Sequence, residues 1–248
     1  ECSDYTEVRR AYFGDLHVHT HYSMDAAIQG TVTTHQQAYD FAKGGRLSLP
    51  NIQSDIQLAR SLDFVSITDH SEMLGEIEIC RNPELQGYRS PSCLLFRKAE
   101  DFAYLFFNSG LSRRPKQYKE GITRLPFCGW KGENCKSAAR SVWEEQSALS
   151  EYNYEECSFT TFSGYEWTGS PHLSNLHRNV IFENFDVPSL PVSYLDAPRD
   201  IQLWKELDEV CEGDCRYMTI PHNSNLSSGT MFPSLLDLSD DPFSEYVA

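Results

Sequence analysis

Three histidines alternate with other residues in one short stretch of this 248-residue chain. His17, His19 and His21 are separated by Val18 and Thr20, and Asp25 follows. Alternation is the period of a β-strand, so in a strand all three imidazoles project from one face. Imidazoles and a carboxylate gathered this way suit divalent metals of borderline softness: Zn, Mn or Fe. A polar edge strand with histidines placed by chance is the plainer explanation. The whole chain has only eight histidines, however, and three fall within five positions. That clustering favours metal ligation.

Further groups of the same chemistry recur downstream: Asp69-His70, Glu166, His177 and His222. Each alone is a weak signal, since a lone strand-end histidine is more often a surface or hydrogen-bonded residue. Glu166 is the exception, because it sits between Tyr165 and Trp167. Burying a carboxylate in so apolar a strand is costly unless it is paired or metal-bound. The set has the residue types for two or three divalent metal ions sharing a bridging carboxylate. Multi-metal sites hold phosphoryl oxygens and generate hydroxide near neutral pH. Asp69 is placed to orient a ligand histidine. Arg178, next to His177, is placed to stabilise developing negative charge, or equally to pair with one of the many carboxylates. Glu166, Arg178 and Asp69 are thus the candidates for catalytic roles. Asn179, Asn223 and Asn225 are candidates for binding substrate, although asparagine is also common in loops because it turns well.

Periodicity places these residues on an α/β framework. Residues 12–20 read as a first strand. Thr34 to Lys43 reads as a helix closed by Gly44-Gly45, and Pro50 to Leu62 as another, from Ile52, Ile56, Leu58, Ala59 and Leu62. Asp63 to Thr68 is a second strand, Phe159 to Trp167 a third, His177 to Phe182 a fourth and Tyr217 to Ile220 a fifth. Further helices are expected at 94–107, 137–153 and 198–210. Residues 76–136 hold four of the eight cysteines and read as an irregular insertion stapled by disulfides within one 1–248 domain. In α/β folds, sites gather at the C-terminal ends of parallel strands.

Formal charge is 21 − 36 = −15, with pI near 4.9. Such a chain repels nucleic-acid phosphates. Arg113, Arg114, Lys116 and Lys119, the nearest thing to a basic patch, lie in a polar stretch and read as a solvated face. No run of 18 apolar residues exists to span a membrane. Local spacing suggests Cys80–Cys93, Cys128–Cys135 and Cys211–Cys215, which leaves Cys2 and Cys157 to pair, among 105 possible connectivities. No pair has zinc-finger spacing, so disulfides in an exported protein, periplasmic or secreted, are favoured. The Glu1-Cys2-Ser3 start reads as a mature terminus.

His-Val-His-Thr from residue 17, Ile-Thr-Asp-His ending at residue 70, Gly-Tyr-Glu-Trp ending at residue 167 and Ile-Pro-His ending at residue 222 resemble, in that order, the motifs of the PHP (polymerase and histidinol phosphatase) superfamily. Phe13 to Asp25, Gly164 to Thr168, Leu176 to Phe182 and Pro221 to Gly229 resemble more closely the DUF3604 family within it. The resemblance implies a distorted (β/α)7 barrel with up to three metals at the strand C-terminal ends. Carried over, the ligands are His17, His19, Asp25, His70, Glu166 as the bridging carboxylate, His177 and His222. His21 matches no superfamily ligand and drops out. His35 reads as a helix start and His172 as part of a polar loop. The superfamily closes its site with a late Asp-x-His pair, and none occurs between Asp196 and Ala248. The barrel is therefore expected to be incomplete at the C-terminus, as in the N-terminal portion of a longer member. The expected activity is metal-dependent hydrolysis of a small-molecule ester through metal-bound hydroxide, most specifically as a phosphoesterase. The alternatives are hydrolysis of a non-phosphate ester or amide, or a non-catalytic metal-binding domain.

Overall fold

The computed structural model describes residues 2, 7–50, 52–98, 124–170 and 174–232. Strand β1 (Gly14–Val18) is followed by α1 (Met24–Ile28) and α2 (His35–Ala42). Next come β2 (Phe64–Ile67), α3 (Leu74–Arg81), α4 (Pro91–Lys98) and α5 (Glu133–Asn153). The chain continues with β3 (Thr160–Trp167), β4 (Arg178–Phe182), α6 (Asp200–Val210) and β5 (Tyr217–Pro221). The five strands form one sheet in the order β1-β2-β3-β4-β5. The first three are parallel, β4 runs antiparallel to β3, and β5 runs antiparallel to β4.

This mixed pairing decides which strand ends meet. The C-terminal ends of β1, β2, β3 and β5 share one edge of the sheet with the N-terminal end of β4. His177 accordingly precedes its strand, whereas His70 and His222 follow theirs. The backbone continues the pairing at that edge. Glu166 N–H donates to Asp69 O at 3.0 Å, Ser71 N–H donates to Glu166 O at 3.0 Å, and His222 N–H donates to His177 O at 2.9 Å.

Of the expected distorted (β/α)7 barrel, incomplete at the C-terminus, the described residues show a mixed α/β arrangement of five strands without closure. They form an open, curled, mixed sheet with β1 and β5 as its edges. The curl brings β1 against β4, which are not neighbours in the sheet, and Asn179 Nδ2 donates to Leu16 O at 2.9 Å across the gap. Strand period reports which face is buried but not strand direction or closure.

Helices α3 and α5 pack against each other at backbone distance. A Cβ on Gly75 would lie 1.9 Å from Cys135 O, so only glycine permits the approach. α5 buries Ala138, Ala139, Val142, Trp143, Gln146 and Ser150 along one face, the 3.6-residue period of a packed helix. Gln146 is polar but satisfied: its Nε2 donates to Ile67 O at 2.9 Å and to Gly164 O at 2.7 Å, tying the helix to β2 and β3. The largest core joins Trp143, Tyr165, Trp167, Phe182, Leu203 and Leu207. α2 begins at a capping box in which Thr34 and Gln37 satisfy each other's backbone N–H.

No helix forms over the described part of 50–62. Leu47 and Ile56 instead exchange backbone hydrogen bonds at 2.9 Å, and Ile52 stays 46 % exposed. The helix expected over 94–107 begins at Pro91 and is described to Lys98. Its remainder and the Arg113–Lys119 cluster lie outside the described residues, as does His172. Within 76–98, α3 and α4 are regular helices joined by Cys80–Cys93. The other disulfides are Cys128–Cys135, Cys211–Cys215 and Cys2–Cys157. Among the described residues no helix is long and apolar enough to cross a membrane.

Candidate metal centre

Glu166 lies at the middle of the shared strand edge and is 1 % exposed. Its Oε2 is 3.0 Å from His17 Nε2, 2.8 Å from His19 Nε2 and 3.5 Å from His70 Nδ1. Its Oε1 is 2.9 Å from His177 Nδ1. One carboxylate thus faces four imidazoles, divided between its two oxygens. Asp25, in the first turn of α1, reaches back to His19 Nδ1 at 3.1 Å and lies 3.6 Å from His70 Nε2. These residues form three overlapping groups whose donor atoms lie within 4.8 Å of one another: His17, His19 and Glu166; His19, Asp25 and His70; His70, Glu166 and His177. His222 flanks them, its ring 5.2 Å from that of His17 and 5.8 Å from that of His177.

The electrostatics follow from this crowding. Burial alone would raise Glu166, but the charge of His70, the hydrogen bonds from His17 and His177 and the close approach of His19 outweigh it. The carboxyl is held well below its usual range. Asp25 is depressed in the same way, burial being overcome by His19 and His70. Burial likewise opposes protonation of His19, yet Asp25 and Glu166 win and push it up to about 10. His70 is also raised against burial, chiefly by Glu166 and Asp25. His177 is lowered, because burial and the neighbouring His70 charge outweigh Glu166. Protonated imidazoles therefore supply the positive charge that balances the buried Glu166 carboxylate and the partly exposed Asp25.

A cation would supply that charge better. His19 Nε2 is buried and makes no hydrogen bond, even though Glu166 Oε2 is 2.8 Å away. Two donors this close could serve one ion together. The donor set of imidazoles and carboxylates fits Zn, Mn or Fe.

His21, dropped on sequence grounds, lies outside this cluster. The chain leaves the strand after Val18, so alternation ends before residue 21. The His21 ring packs on Tyr22 at 4.3 Å, with Nδ1 2.9 Å from Thr33 O. Three other assignments are corrected. Asp69 makes no direct hydrogen bond to a ligand histidine among the described residues. Its carboxylate, 1 % exposed, is taken up by Thr20 and by His35 Nε2 at 2.9 Å. Burial would raise its pKa, and these hydrogen bonds hold it lowered instead. Arg178 is turned to the opposite face from Glu166, because it pairs in register with Trp167 while Asn179 pairs with Glu166. It bridges Asp200 at 3.0 Å and packs over Trp204. Asn179 does share the face of Glu166, but its Nδ2 holds Leu16 O. Asn223 and Asn225 are exposed, and Asn223 meets His222 through its backbone oxygen at 3.2 Å.

Four residues at the site carried no signal in the sequence. Thr168 Oγ1 lies 2.6 Å from His70 Nδ1, and Ser170 Oγ lies 3.2 Å from His177 Nε2. Buried Glu72 accepts from Thr168 N–H at 2.9 Å and from Tyr194 N–H at 2.7 Å, and so holds Thr168 in place. His35 was visible as a residue but not as a partner of Asp69. A further group, Glu76 with Cys128 and Cys135, has its sulfurs joined in a disulfide and is not a metal site as it stands.

The fold and this cluster define a mixed α/β protein with a candidate polyhistidine–carboxylate metal centre. The family model described as "Protein of unknown function (DUF3604)" matches residues 6–248, and the chain belongs to that family. No curated protein and no solved structure matches it.

Proposed function

We propose that this protein is a metal-dependent hydrolase of small phosphate esters. Under this proposal it is a PHP-like member whose site takes two or three divalent cations. The observation that supports it best is the double engagement of Glu166, with His177 on one oxygen and His17 and His19 on the other. That is the arrangement of a carboxylate shared between neighbouring cations. When bound, such cations supply Lewis acidity toward phosphoryl oxygens and acidify water.

The chain's own residues hold and orient. His17, His19 and Glu166 form one position, with His19, Asp25 and His70 forming a second and His70, Glu166 and His177 a third. His19, His70 and Glu166 each belong to two groups, so the positions share donors. Thr168 and Ser170 fix the rings of His70 and His177 through the nitrogens they face. His17, whose side chain is 35 % exposed, opens the cluster to solvent, and Glu166 closes its floor. Four disulfides and no free cysteine among the described residues support an oxidising compartment, hence export.

The test is elemental analysis of the purified chain, followed by assay of the Zn-, Mn- and Fe-loaded forms. The substrates are p-nitrophenyl phosphate, bis(p-nitrophenyl) phosphate, and matching carboxylate, sulfate and amide compounds. Turnover of a phosphate ester is expected. Turnover confined to another ester or an amide would replace phosphate as the substrate class. Bound metal with no turnover of any compound would leave a non-catalytic metal-binding domain.

A further inference from the structure

One carboxylate ties together the two segments that carry His19 and His70. Thr20 directly follows His19, and Asp69 directly precedes His70. Asp69 Oδ1 accepts from Thr20 N–H at 2.5 Å. Its Oδ2 accepts from the Thr20 hydroxyl at 2.6 Å and from His35 Nε2 at 2.9 Å. All three residues are buried, Thr20 at 0 %, Asp69 at 1 % and His35 at 2 %. His35 arrives from a third segment, the first turn of α2, and its ring stacks on Tyr22 at 5.2 Å. The loop after β1, the end of β2 and the start of α2 therefore converge on Asp69.

A buried carboxylate keeps its position only while its donors are complete. The rings of His19 and His70 are 4.7 Å apart, and both face Asp25. The Asp69 carboxylate ties the His19 segment to the His70 segment, which the backbone bridge to Glu166 also holds. His17 sits within β1 and Glu166 within β3, where strand ladders anchor the backbone independently of the Asp69 side chain.

We propose that His35 is a positioning residue for the cation position formed by His19, Asp25 and His70, acting through Asp69 and Thr20. The inference rests on the proposed metal centre. It requires His35 to matter most for this position, which uses both His19 and His70, and less for the other two, which use one of them each.

The experiment uses the full chain, with Zn²⁺ and Mn²⁺ as probes. Stoichiometry is read by elemental analysis after equilibrium dialysis, and affinities by competition with a chromophoric chelator. Co²⁺ absorption reports the geometry of each position. His35→Leu is expected to weaken one cation most, by about 10- to 100-fold, the usual cost of losing a supporting residue, and to change one set of Co²⁺ bands most. His35→Gln, which still offers Asp69 an N–H, is expected to recover most of that loss. Unchanged affinities in His35→Leu overturn the inference. So does a His35→Gln variant no better than His35→Leu, or an equal loss at every position together with a lowered melting temperature. Should His35→Leu not fold, Thr20→Val carries the same test, because it removes the hydroxyl that shares Oδ2. A wild-type chain that binds neither ion overturns the metal centre and this inference with it. A wild-type chain that binds them, with variants that behave identically, overturns the inference alone.

Discussion

Glu166 Oε2 and His19 Nε2 face each other at 2.8 Å, both buried, without forming a hydrogen bond. The contact is too close to be indifferent and too poorly aligned to be a satisfied ion pair. Glu166→Gln keeps the volume of the side chain and removes the charge and one acceptor oxygen. The variant is expected to lose bound metal by more than the ~100-fold typical of a supporting residue, and any phosphoesterase turnover with it. Retention of full metal content in Glu166→Gln, measured by elemental analysis, would remove Glu166 from the ligand set.

If the proposed centre takes a cation, proton release is expected to accompany its uptake at His19. Its pKa is raised from 6.5 to about 10, so at neutral pH the metal-free imidazole is protonated and a cation must displace that proton. Affinity at that position should rise about tenfold per pH unit from pH 7 toward pH 10, one proton being released per cation. Calorimetric titration in buffers of different ionisation enthalpy counts the proton directly. For the metal-free fold the sign is opposite. The stability contributed by protonated His19 is fully present below about 6.5 and is lost as pH rises through about 10.

Arg178 makes its contacts on the face away from the Glu166 cluster. Its guanidinium pairs with Asp200 at 3.0 Å and packs over Trp204 on the face away from Glu166. Asp200 is 25 % exposed, which places the pair below the 3–5 kcal/mol cost of breaking a fully buried one. Arg178→Met is expected to destabilise by about 2 kcal/mol while leaving metal content unchanged. Chemical denaturation and elemental analysis on one sample separate the two effects. Loss of metal without loss of stability would return Arg178 to the site.

The disulfides differ in what they contribute. Cys2–Cys157 spans 155 residues and Cys211–Cys215 only 4. Chain entropy gives about 5 kcal/mol for the first and about 2 kcal/mol for the second. Paired Cys→Ser variants compared by denaturant unfolding should show the larger loss for Cys2/Cys157. Equal losses would mean that native packing, not loop closure, sets the contribution.

The sequence alone determined the chemistry of the donor set. Metal-ligand residue types at strand ends, with the superfamily resemblance, named seven ligands; His17, His19, Asp25, His70, Glu166 and His177 fall in clustered groups, and His222 only flanks them. The cysteine pairs were legible for a related reason: short loops close at little entropic cost, so near neighbours pair first. Tertiary structure alone decided strand direction. An antiparallel β4 turns Arg178 away from Glu166 and brings His177 in from the start of its strand. It also decided that Asp69 belongs to Thr20 and His35, contacts that span 49 and 34 residues. Hydrogen bonds of that separation leave no periodic trace, because period reports only which face of an element is buried and not what it is buried against.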